Sequence, residues 1–173
     1  LRFILEQSPA ESTAYRFARL DLKYHSPRSG SLVRGDVARG APYYTNSTQL
    51  NIAATAEPFA RVKSEGIFHP FIEGNAVTSV WLGGSRPEAR ALARFVERAF
   101  RETSSSQIVF SPEFTVCPSC RQTARGLKPA CPRCGSTRVE GVSRVGGYLT
   151  HTSRLNRGKL AELRDTHRTE SLQ

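Results

Sequence analysis

Four cysteines in two CxxC pairs are the residues of this chain whose spacing most directly predicts chemistry. Cys117 and Cys120 form the first pair, and Cys131 and Cys134 form the second after ten intervening residues. Each CxxC turn directs two thiolates at one centre, so the two turns together can supply a tetrahedral shell of four sulfurs. Gly135, directly after the second pair, suits the positive φ that often closes such a turn. Because four protein ligands leave no open position, we predict a structural zinc site; another metal, a redox dithiol or disulfides are the alternatives.

A glycine pair follows the cysteines, in the segment from Ser143 to Leu149. On its own, Gly146-Gly147 predicts a turn or a close backbone approach. A second interpretation is chemical: removal of a Cα hydrogen from glycine leaves a planar radical that the adjoining amide and carbonyl stabilise, and no side chain hinders this step. The pattern Arg144-Val145-Gly146-Gly147-Tyr148 resembles the radical-bearing loop of glycyl radical enzymes. Gly147 is therefore our candidate catalytic residue.

Hydroxyl and amide side chains cluster in a third candidate site, which consists of Thr45, Asn46, Ser47 and Thr48. Hydroxyls and backbone N–H groups in such a loop can bind phosphate oxygens without burying a charged side chain. We therefore predict that this loop binds substrate phosphates. The alternative is an ordinary polar turn in which Asn46 and Ser47 cap their own backbone.

The net charge of +10 is concentrated behind the first cysteine. Residues 117–173 carry 11 Lys and Arg against 4 Asp and Glu. A basic region beside a metal module is typical of nucleic-acid binders, and it also suits a protein that handles triphosphates or docks an acidic partner. No apolar run approaches the roughly 18 residues that span a bilayer, and no secretory signal is present. We therefore expect a cytoplasmic protein that does not enter a membrane.

Hydrophobic patterning predicts strands that alternate with helices, and hence an α/β fold. Strands are predicted at residues 2–7, 67–72, 76–82 and 107–110. Helices are predicted at 8–23, 55–65, 85–100 and 156–167, with capping boxes at Ser8 and Ser85, and residues 24–42 are predicted to be a loop. In the third helix one apolar face is expected, formed by Ala89, Leu92, Ala93, Val96, Ala99 and Phe100. His69 and Trp81 are interpreted as core or barrel-lining residues.

Several motifs in order along the chain resemble the C-terminal part of the anaerobic (class III) ribonucleoside-triphosphate reductases. Besides the two CxxC pairs, they are Leu5-Glu6-Gln7-Ser8-Pro9-Ala10-Glu11, Pro42-Tyr43-Tyr44-Thr45-Asn46-Ser47-Thr48, Phe68-His69-Pro70, Val80-Trp81-Leu82-Gly83, Phe110-Ser111-Pro112-Glu113-Phe114, Arg144-Val145-Gly146-Gly147-Tyr148-Leu149 and Asn156-Arg157-Gly158-Lys159. Within this pattern the radical glycine falls on Gly147. One departure is Gly146, at a place that cysteine, threonine or valine often holds, and we expect it to loosen the loop.

The resemblance implies part of a ten-stranded α/β barrel with an appended zinc-ribbon-like module. We expect a partial barrel at 1–113, a four-cysteine zinc module at 114–141, and the glycyl radical loop with a C-terminal helix at 142–173. The chain contains no methionine and begins like the inside of a strand, so we expect it to be the C-terminal piece of a longer polypeptide.

The resemblance also implies an oxygen-sensitive oxidoreductase that reduces ribonucleoside triphosphates to 2′-deoxyribonucleoside triphosphates for DNA replication. A separate radical-SAM activase with an iron–sulfur cluster would install the glycyl radical. The radical would pass to a cysteine whose thiyl abstracts hydrogen from the ribose C3′, with formate or a thioredoxin-type protein as reductant. All four cysteines are assigned to the metal, so we expect the thiyl cysteine to lie outside this chain and the chain to be inactive alone. The full-length enzyme is expected to be a homodimer.

Two other interpretations compete with this one. The first is a zinc-ribbon nucleic-acid-binding module, which the basic region favours and the lack of an aromatic residue between the cysteine pairs disfavours. The second is a stand-alone glycyl radical subunit that complements a larger, damaged enzyme.

Overall fold

A computed structural model of the chain describes residues 4–7, 11–52, 54, 56–145 and 147–170. Five helices lie within these ranges: α1 (Glu11–Tyr24), α2 (Ser26–Ser29), α3 (Pro58–Gly66), α4 (Ala89–Glu102) and α5 (Arg157–Glu170). Short 3₁₀ turns occur at His69–Phe71 and Thr152–Arg154. The described helices include none that is both long and apolar enough to cross a membrane.

Eight strands form three small sheets in the described ranges. They are β1 (Arg34–Asp36), β2 (Ala41–Tyr43), β3 (Thr78–Gly83), β4 (Ile108–Pro112), β5 (Phe114–Val116), β6 (Thr123–Arg125), β7 (Glu140–Ser143) and β8 (Thr150–His151). β1 and β2 form an antiparallel hairpin, β3 and β4 pair in parallel, and the third sheet has the antiparallel order β6-β5-β7-β8. The predicted mixture of helices and strands is confirmed.

The first layer packs α1 and α5 against the β1–β2 hairpin, with Tyr43 almost completely buried at its centre. The Tyr43 hydroxyl donates a 2.8 Å hydrogen bond to Asp165 of α5. Gly158 allows this close packing, because a Cβ there would lie 2.7 Å from the Pro42 carbonyl oxygen. The predicted polar helix at 156–167 is confirmed as α5, and its buried face includes a 2.7 Å ion pair between Lys159 and Glu162.

The second layer is a β3–α4–β4 unit with α3 packed on it. The long connection through α4 is what a parallel strand pair requires. Its core contains Val62, Val80 and Ala99, with Phe95 edge-on to Phe110 at a centroid distance of 5.8 Å.

The predicted apolar face of α4 is correct in part. Leu92 and Val96 are half-buried and Ala99 is fully buried, but Phe100 is 49% exposed and Phe95 packs in its place. The predicted capping box at Ser85 is wrong, since its hydroxyl donates to the Leu82 carbonyl and the cap of α4 has no side-chain hydrogen bond. The first predicted capping box begins at Ser8, which lies outside the described residues.

Two other element predictions are wrong. Residues 67–72 contain a 3₁₀ turn and no strand, because Pro70 lacks the N–H that a strand ladder needs. Residues 24–42, predicted as a loop, contain α2 and β1 and reach into β2. In the described part of residues 2–7, the pairing is a single β-bridge between Glu6 and Gly74.

Candidate functional site: a cysteine cluster and a glycine loop

The four cysteine sulfurs lie together at the end of two matching turns. Every pair of Sγ atoms is within 4.8 Å, and the Cys117–Cys134 and Cys120–Cys131 separations are both 3.6 Å. A tetrahedron with zinc–sulfur bonds of about 2.3 Å has edges of about 3.8 Å, so these separations fit a metal of that size. The cluster is therefore a place where four thiolates could bind one metal ion.

The two turns have the same backbone design. Cys117 N–H donates to the Gln122 carbonyl and Cys131 N–H donates to the Ser136 carbonyl, each at 2.9 Å. Gly135 has the positive φ expected of it, 72°, and Arg121 occupies the equivalent position of the first turn with φ 58°.

Backbone groups in these turns favour thiolates at the first cysteine of each pair. The N–H of Cys120 lowers the pKa of Cys117 to about 6, against the opposing effect of burial. The N–H of Cys134 likewise lowers the pKa of Cys131. Thiolate is the form that ligates a metal.

The β6-β5-β7-β8 sheet places the cysteines and the glycine loop at opposite ends. Val116, the last residue of β5, pairs with Glu140, the first residue of β7. The first cysteine turn follows β5 and the second precedes β7, so both turns lie at this end of the sheet. Phe114 pairs with Val142 near the end of β7, and the chain then continues into residues 144–149, the β7–β8 connection that we call the glycine loop. The cysteine cluster thus lies at one end of the β5–β7 pair, and the glycine loop emerges from the other end.

Buried polar contacts hold the base of the glycine loop. Ser143, which is 1% exposed, donates a 2.8 Å hydrogen bond to the carboxylate of Glu113, which is 3% exposed. Within the loop, the Arg144 guanidinium donates a 2.5 Å hydrogen bond to the carbonyl oxygen of Gly147. Gly147, Tyr148 and Leu149 are exposed, and Gly146 lies outside the described residues.

A cavity of about 310 Å³ lies beside the glycine loop, and Gly147 forms part of its wall. Amide side chains dominate the polar lining, and Arg144 is the charged residue among those that line it. The lining amides are those of Gln7, Asn46, Gln49, Asn75 and Gln107. Such a cavity offers many hydrogen-bond donors and acceptors and one fixed positive charge.

Asn46 is the predicted substrate-loop residue that the structure brings to this cavity. It is 8% exposed, and its Oδ1 has no hydrogen-bond partner among the described residues. Thr48 accepts a 3.5 Å hydrogen bond from Gln7, which lines the same cavity. Thr45 is half-buried, while Ser47 is exposed with a φ of 45° and is not among the cavity-lining residues.

A buried ion pair positions the chain that follows Thr48. Arg61 and Glu65 of α3 lie 3.2 Å apart, and burial raises the pKa of Glu65 despite this partner. The Leu50 N–H donates to Glu65, and Arg61 donates to the carbonyls of Leu50 and Asn51. The segment that follows the candidate substrate loop at residues 45–48 is thereby tied to α3, which packs on β3.

Several cavity residues were not predicted from the sequence. Gln7, Asn75 and Gln107 come from three separate segments, so no local spacing relates them. Arg144 was visible as part of the glycine motif, but its contact with Gly147 was not.

His69 and Trp81 are packing residues. His69 is buried, and its Nδ1 accepts a 3.0 Å hydrogen bond from the Ser106 N–H. Burial lowers its pKa. Trp81 is half-buried under the Arg61 guanidinium, 5.3 Å from its ring centroid.

Comparison with known protein families agrees with the arrangement of these motifs. A family model described as anaerobic ribonucleoside-triphosphate reductase matches residues 1–168. A protein of that name from Haemophilus influenzae is 26% identical over 159 residues, which cover 85% of this chain and 20% of that protein. One from Enterobacteria phage T4 is 26% identical over 174 residues, covering 93% of this chain and 27% of that protein. The chain thus spans about a fifth to a quarter of the length of these relatives.

Solved structures show the same fold. An anaerobic ribonucleotide reductase superimposes with a TM-score of 0.69 at 21% identity, over 96% of this chain and 25% of that one. The Thermotoga maritima anaerobic ribonucleotide reductase, in complex with dATP and CTP, gives a TM-score of 0.62 at 20% identity, over 98% and 24% of the two chains. The described fold corresponds to a portion of that enzyme fold. The chain belongs to the anaerobic ribonucleoside-triphosphate reductase family.

Proposed function

We propose that this chain is the part of an anaerobic ribonucleoside-triphosphate reductase that stores the catalytic radical on Gly147. The observation that carries the proposal is the shared cavity: Gly147 and Asn46 line the same space. The candidate radical site thus lies beside the candidate substrate loop, although the two are about a hundred residues apart in sequence.

Activation transfers one hydrogen atom. The Cα–H bond of Gly147 breaks homolytically, and the hydrogen atom goes to a carbon-centred radical that a radical-SAM activase generates. The exposure of Gly147 and Tyr148 suits this encounter with a second protein. The amide nitrogen and the carbonyl on either side of the Cα then delocalise the unpaired electron.

The substrate would be a ribonucleoside triphosphate that reaches the cavity from the side of residues 45–48. The Asn46 Oδ1, which has no partner among the residues that the structure describes, is an acceptor, so it suits a hydroxyl of the ribose. Phosphate oxygens only accept, so the hydroxyl groups of Thr45, Ser47 and Thr48 are the matching donors in this loop. The thiyl cysteine and the reductant, formate or a thioredoxin-type protein, would come from outside this chain.

The metal that fits the cysteine cluster is zinc, held by Cys117, Cys120, Cys131 and Cys134. Four thiolates at these separations suit a closed tetrahedral site, which is structural because no position is left for substrate. When bound, the ion would cross-link the two cysteine turns. The parallel strands of the β3–α4–β4 unit are consistent with our proposal that this chain forms part of a ten-stranded barrel wall. We also propose that the full-length enzyme is a homodimer.

Electron paramagnetic resonance on the reductase that contains this chain tests the radical assignment. After anaerobic treatment with the activase, S-adenosylmethionine and a reductant, we expect a glycyl doublet. Gly147→Ala should abolish the doublet and the reductase activity while the fold and the metal content remain. Exposure to air should cleave the activated wild-type chain at this residue and release a small C-terminal fragment.

The matched control is Gly146→Ala, which should retain the radical. If Gly147→Ala kept the doublet and Gly146→Ala lost it, the radical would belong to Gly146. If neither substitution mattered, the glycyl radical assignment would fail.

A further inference from the structure

We propose that Arg144 is a positioning residue for the glycyl radical, acting through its hydrogen bond to the Gly147 carbonyl. This inference rests on the proposed function, since it concerns the same glycine. It adds a role for a side chain that neither the cysteine cluster nor the substrate loop requires.

The geometry of the contact is specific. The Arg144 Nη2 lies 2.5 Å from the Gly147 carbonyl oxygen, three residues further along the chain. Arg144 is half-buried, while Gly147 and the two residues after it are exposed. The guanidinium therefore holds a loop segment that has little packing of its own.

The backbone at Arg144 is held in place by its two neighbours at the base of the glycine loop. Ser143, immediately before it, is fixed to Glu113 by a buried 2.8 Å hydrogen bond, and Val145, immediately after it, is 3% exposed. The backbone on both sides of Arg144 is therefore held by buried residues. The contact of Arg144 with the Gly147 carbonyl consequently fixes the orientation of the peptide group that follows the radical carbon.

That peptide group is part of the radical. The unpaired electron on the Gly147 Cα is shared between an electron-donating amide nitrogen and an electron-accepting carbonyl. A hydrogen bond from a cation to the carbonyl oxygen strengthens the accepting side, and charge-assisted hydrogen bonds are stronger than neutral ones. Arg144 should therefore stabilise the radical and keep its carbonyl in the plane that delocalisation needs.

The first measurement needs no radical. Gly147-Tyr148 is the only Gly-Tyr dipeptide of the chain. Labelling glycine with ¹³C at the carbonyl and tyrosine with ¹⁵N therefore gives one carbonyl-to-amide cross-peak from these residues, and its absence in Gly147→Ala assigns it to the Gly147 carbonyl. We expect Arg144→Ala to move this carbonyl resonance upfield, because the hydrogen bond is lost, and Arg144→Lys to move it less, since lysine keeps a donor.

The second measurement uses the activated reductase with the same carbonyl label. In Arg144→Ala the ¹³C coupling in the radical spectrum should change, and the signal should decay about tenfold faster, the lower end of the factor that one hydrogen bond from a charged group contributes. Arg154→Ala is the matched control, because it removes an exposed arginine from the segment just after β8. It should alter neither the resonance nor the coupling.

The outcomes separate this inference from the function on which it rests. An unmoved Gly147 resonance in Arg144→Ala overturns the inference, and so does an unchanged ¹³C coupling, whatever the radical yield. If the resonance moves but activated wild-type enzyme shows no glycyl radical, the contact stands and the proposed function fails.

Discussion

At the scale of single residues, Gly158 illustrates how one missing side chain sets the packing of a layer. It lies in the first turn of α5, where a Cβ would meet the Pro42 carbonyl oxygen at 2.7 Å and the Tyr15 ring at 2.8 Å. Alanine is the better helix former by up to ~1 kcal/mol, but overpacking against backbone costs ~1–3 kcal/mol. We expect Gly158→Ala to lower the free energy of unfolding by about 1–2 kcal/mol in urea titrations.

Arg164→Ala, on the exposed side of α5, serves as the control for this substitution. It should leave the urea midpoint within experimental error, because exposed substitutions away from special features have small effects. A Gly158→Ala protein as stable as the wild type would show that α5 can move away from Pro42 at no cost.

His69 predicts a pH dependence of stability. Its Nδ1 accepts from the Ser106 N–H, so a proton there would break a hydrogen bond, and burial lowers its pKa below the ordinary value of about 6.5. Below that pH the unfolded chain binds a proton that the folded chain does not, so stability falls as the pH decreases through about 6.5. We expect the urea midpoint to decrease over this range in the wild type.

His69→Asn isolates this contribution, because the asparagine Oδ1 can accept from Ser106 without titrating. Its midpoint should vary less with pH than that of the wild type, whereas His25→Asn, at an exposed histidine, should match the wild type. Equal pH profiles for His69→Asn and the wild type would contradict the assignment.

At the scale of elements, the cysteine turns and the β6-β5-β7-β8 sheet should fold as one metal-dependent unit. β5 leads into the first turn and β7 follows the second, so an ion bound by the four cysteines would close the sheet at one end. Elemental analysis should find about one zinc per chain. Cys117→Ser should release it and remove amide-exchange protection from β5 and β7, while the Val62, Val80 and Ala99 core keeps its protection.

Ser119→Ala is the matched control, at an exposed position of the same turn. It should retain the metal, since only a weak contact to Ser136 at 3.3 Å is lost. A metal-free chain with two disulfides after reducing preparation would remove the basis for the zinc site.

The elements differ in how far sequence could predict them. The cysteine turns were predictable because their information is local: ligand spacing and a Gly135 that tolerates positive φ. Helices α1 and α4 were predictable from apolar residues that recur at helical spacing, and α5 was predictable as a polar helix. The three-residue strands β1 and β2 are too short for a period-two pattern to be detectable. The apolar run at 67–72 predicts a strand, but Pro70 is the signal against it.

The cavity could be predicted only in part. Gly147 and Asn46 were identified one by one, from motifs, but their meeting depends on how the third sheet lies against β3 and β4. That arrangement depends on contacts that no local sequence pattern predicts. Gly84 and Gly126 lie so close that a Cβ on Gly84 would be 3.1 Å from the Gly126 Cα, and Arg125 donates a hydrogen bond to the Ser85 carbonyl.

At the scale of the whole molecule, the distribution of charge bears on whether the chain acts as part of a reductase or as a nucleic-acid-binding module. The stretch from 117 to 139 contains five basic residues and no acidic one. All five are exposed, and within the described ranges none forms an ion pair. These residues are Arg121, Arg125, Lys128, Arg133 and Arg138.

Charge without stacking groups gives only salt-sensitive attraction to a polyanion. Beyond Cys117 the sole aromatic residue is Tyr148, which lies in the glycine loop at the opposite end of the sheet from the cysteines. Single-strand binding normally adds base stacking on several aromatics to the electrostatic term. We therefore expect these exposed basic residues to contact the activase, the triphosphate or the body of the enzyme; because the glycine loop lies at the opposite end of the sheet, the body of the enzyme fits best.

We accordingly expect no micromolar binding of single-stranded or duplex DNA by the zinc-loaded chain at about 150 mM salt, measured by fluorescence anisotropy. Weak binding at low salt should disappear steeply as salt rises, and it should weaken to the same extent in Arg133→Ala/Arg138→Ala and in the control Arg90→Ala/Arg94→Ala, since both pairs only reduce net charge. Micromolar binding at about 150 mM salt that the first pair abolishes and the second preserves would identify a specific surface on the cysteine turns. In that case the nucleic-acid-binding interpretation would account for the basic region, and the radical measurements on Gly147 would have to decide whether both functions reside in one chain.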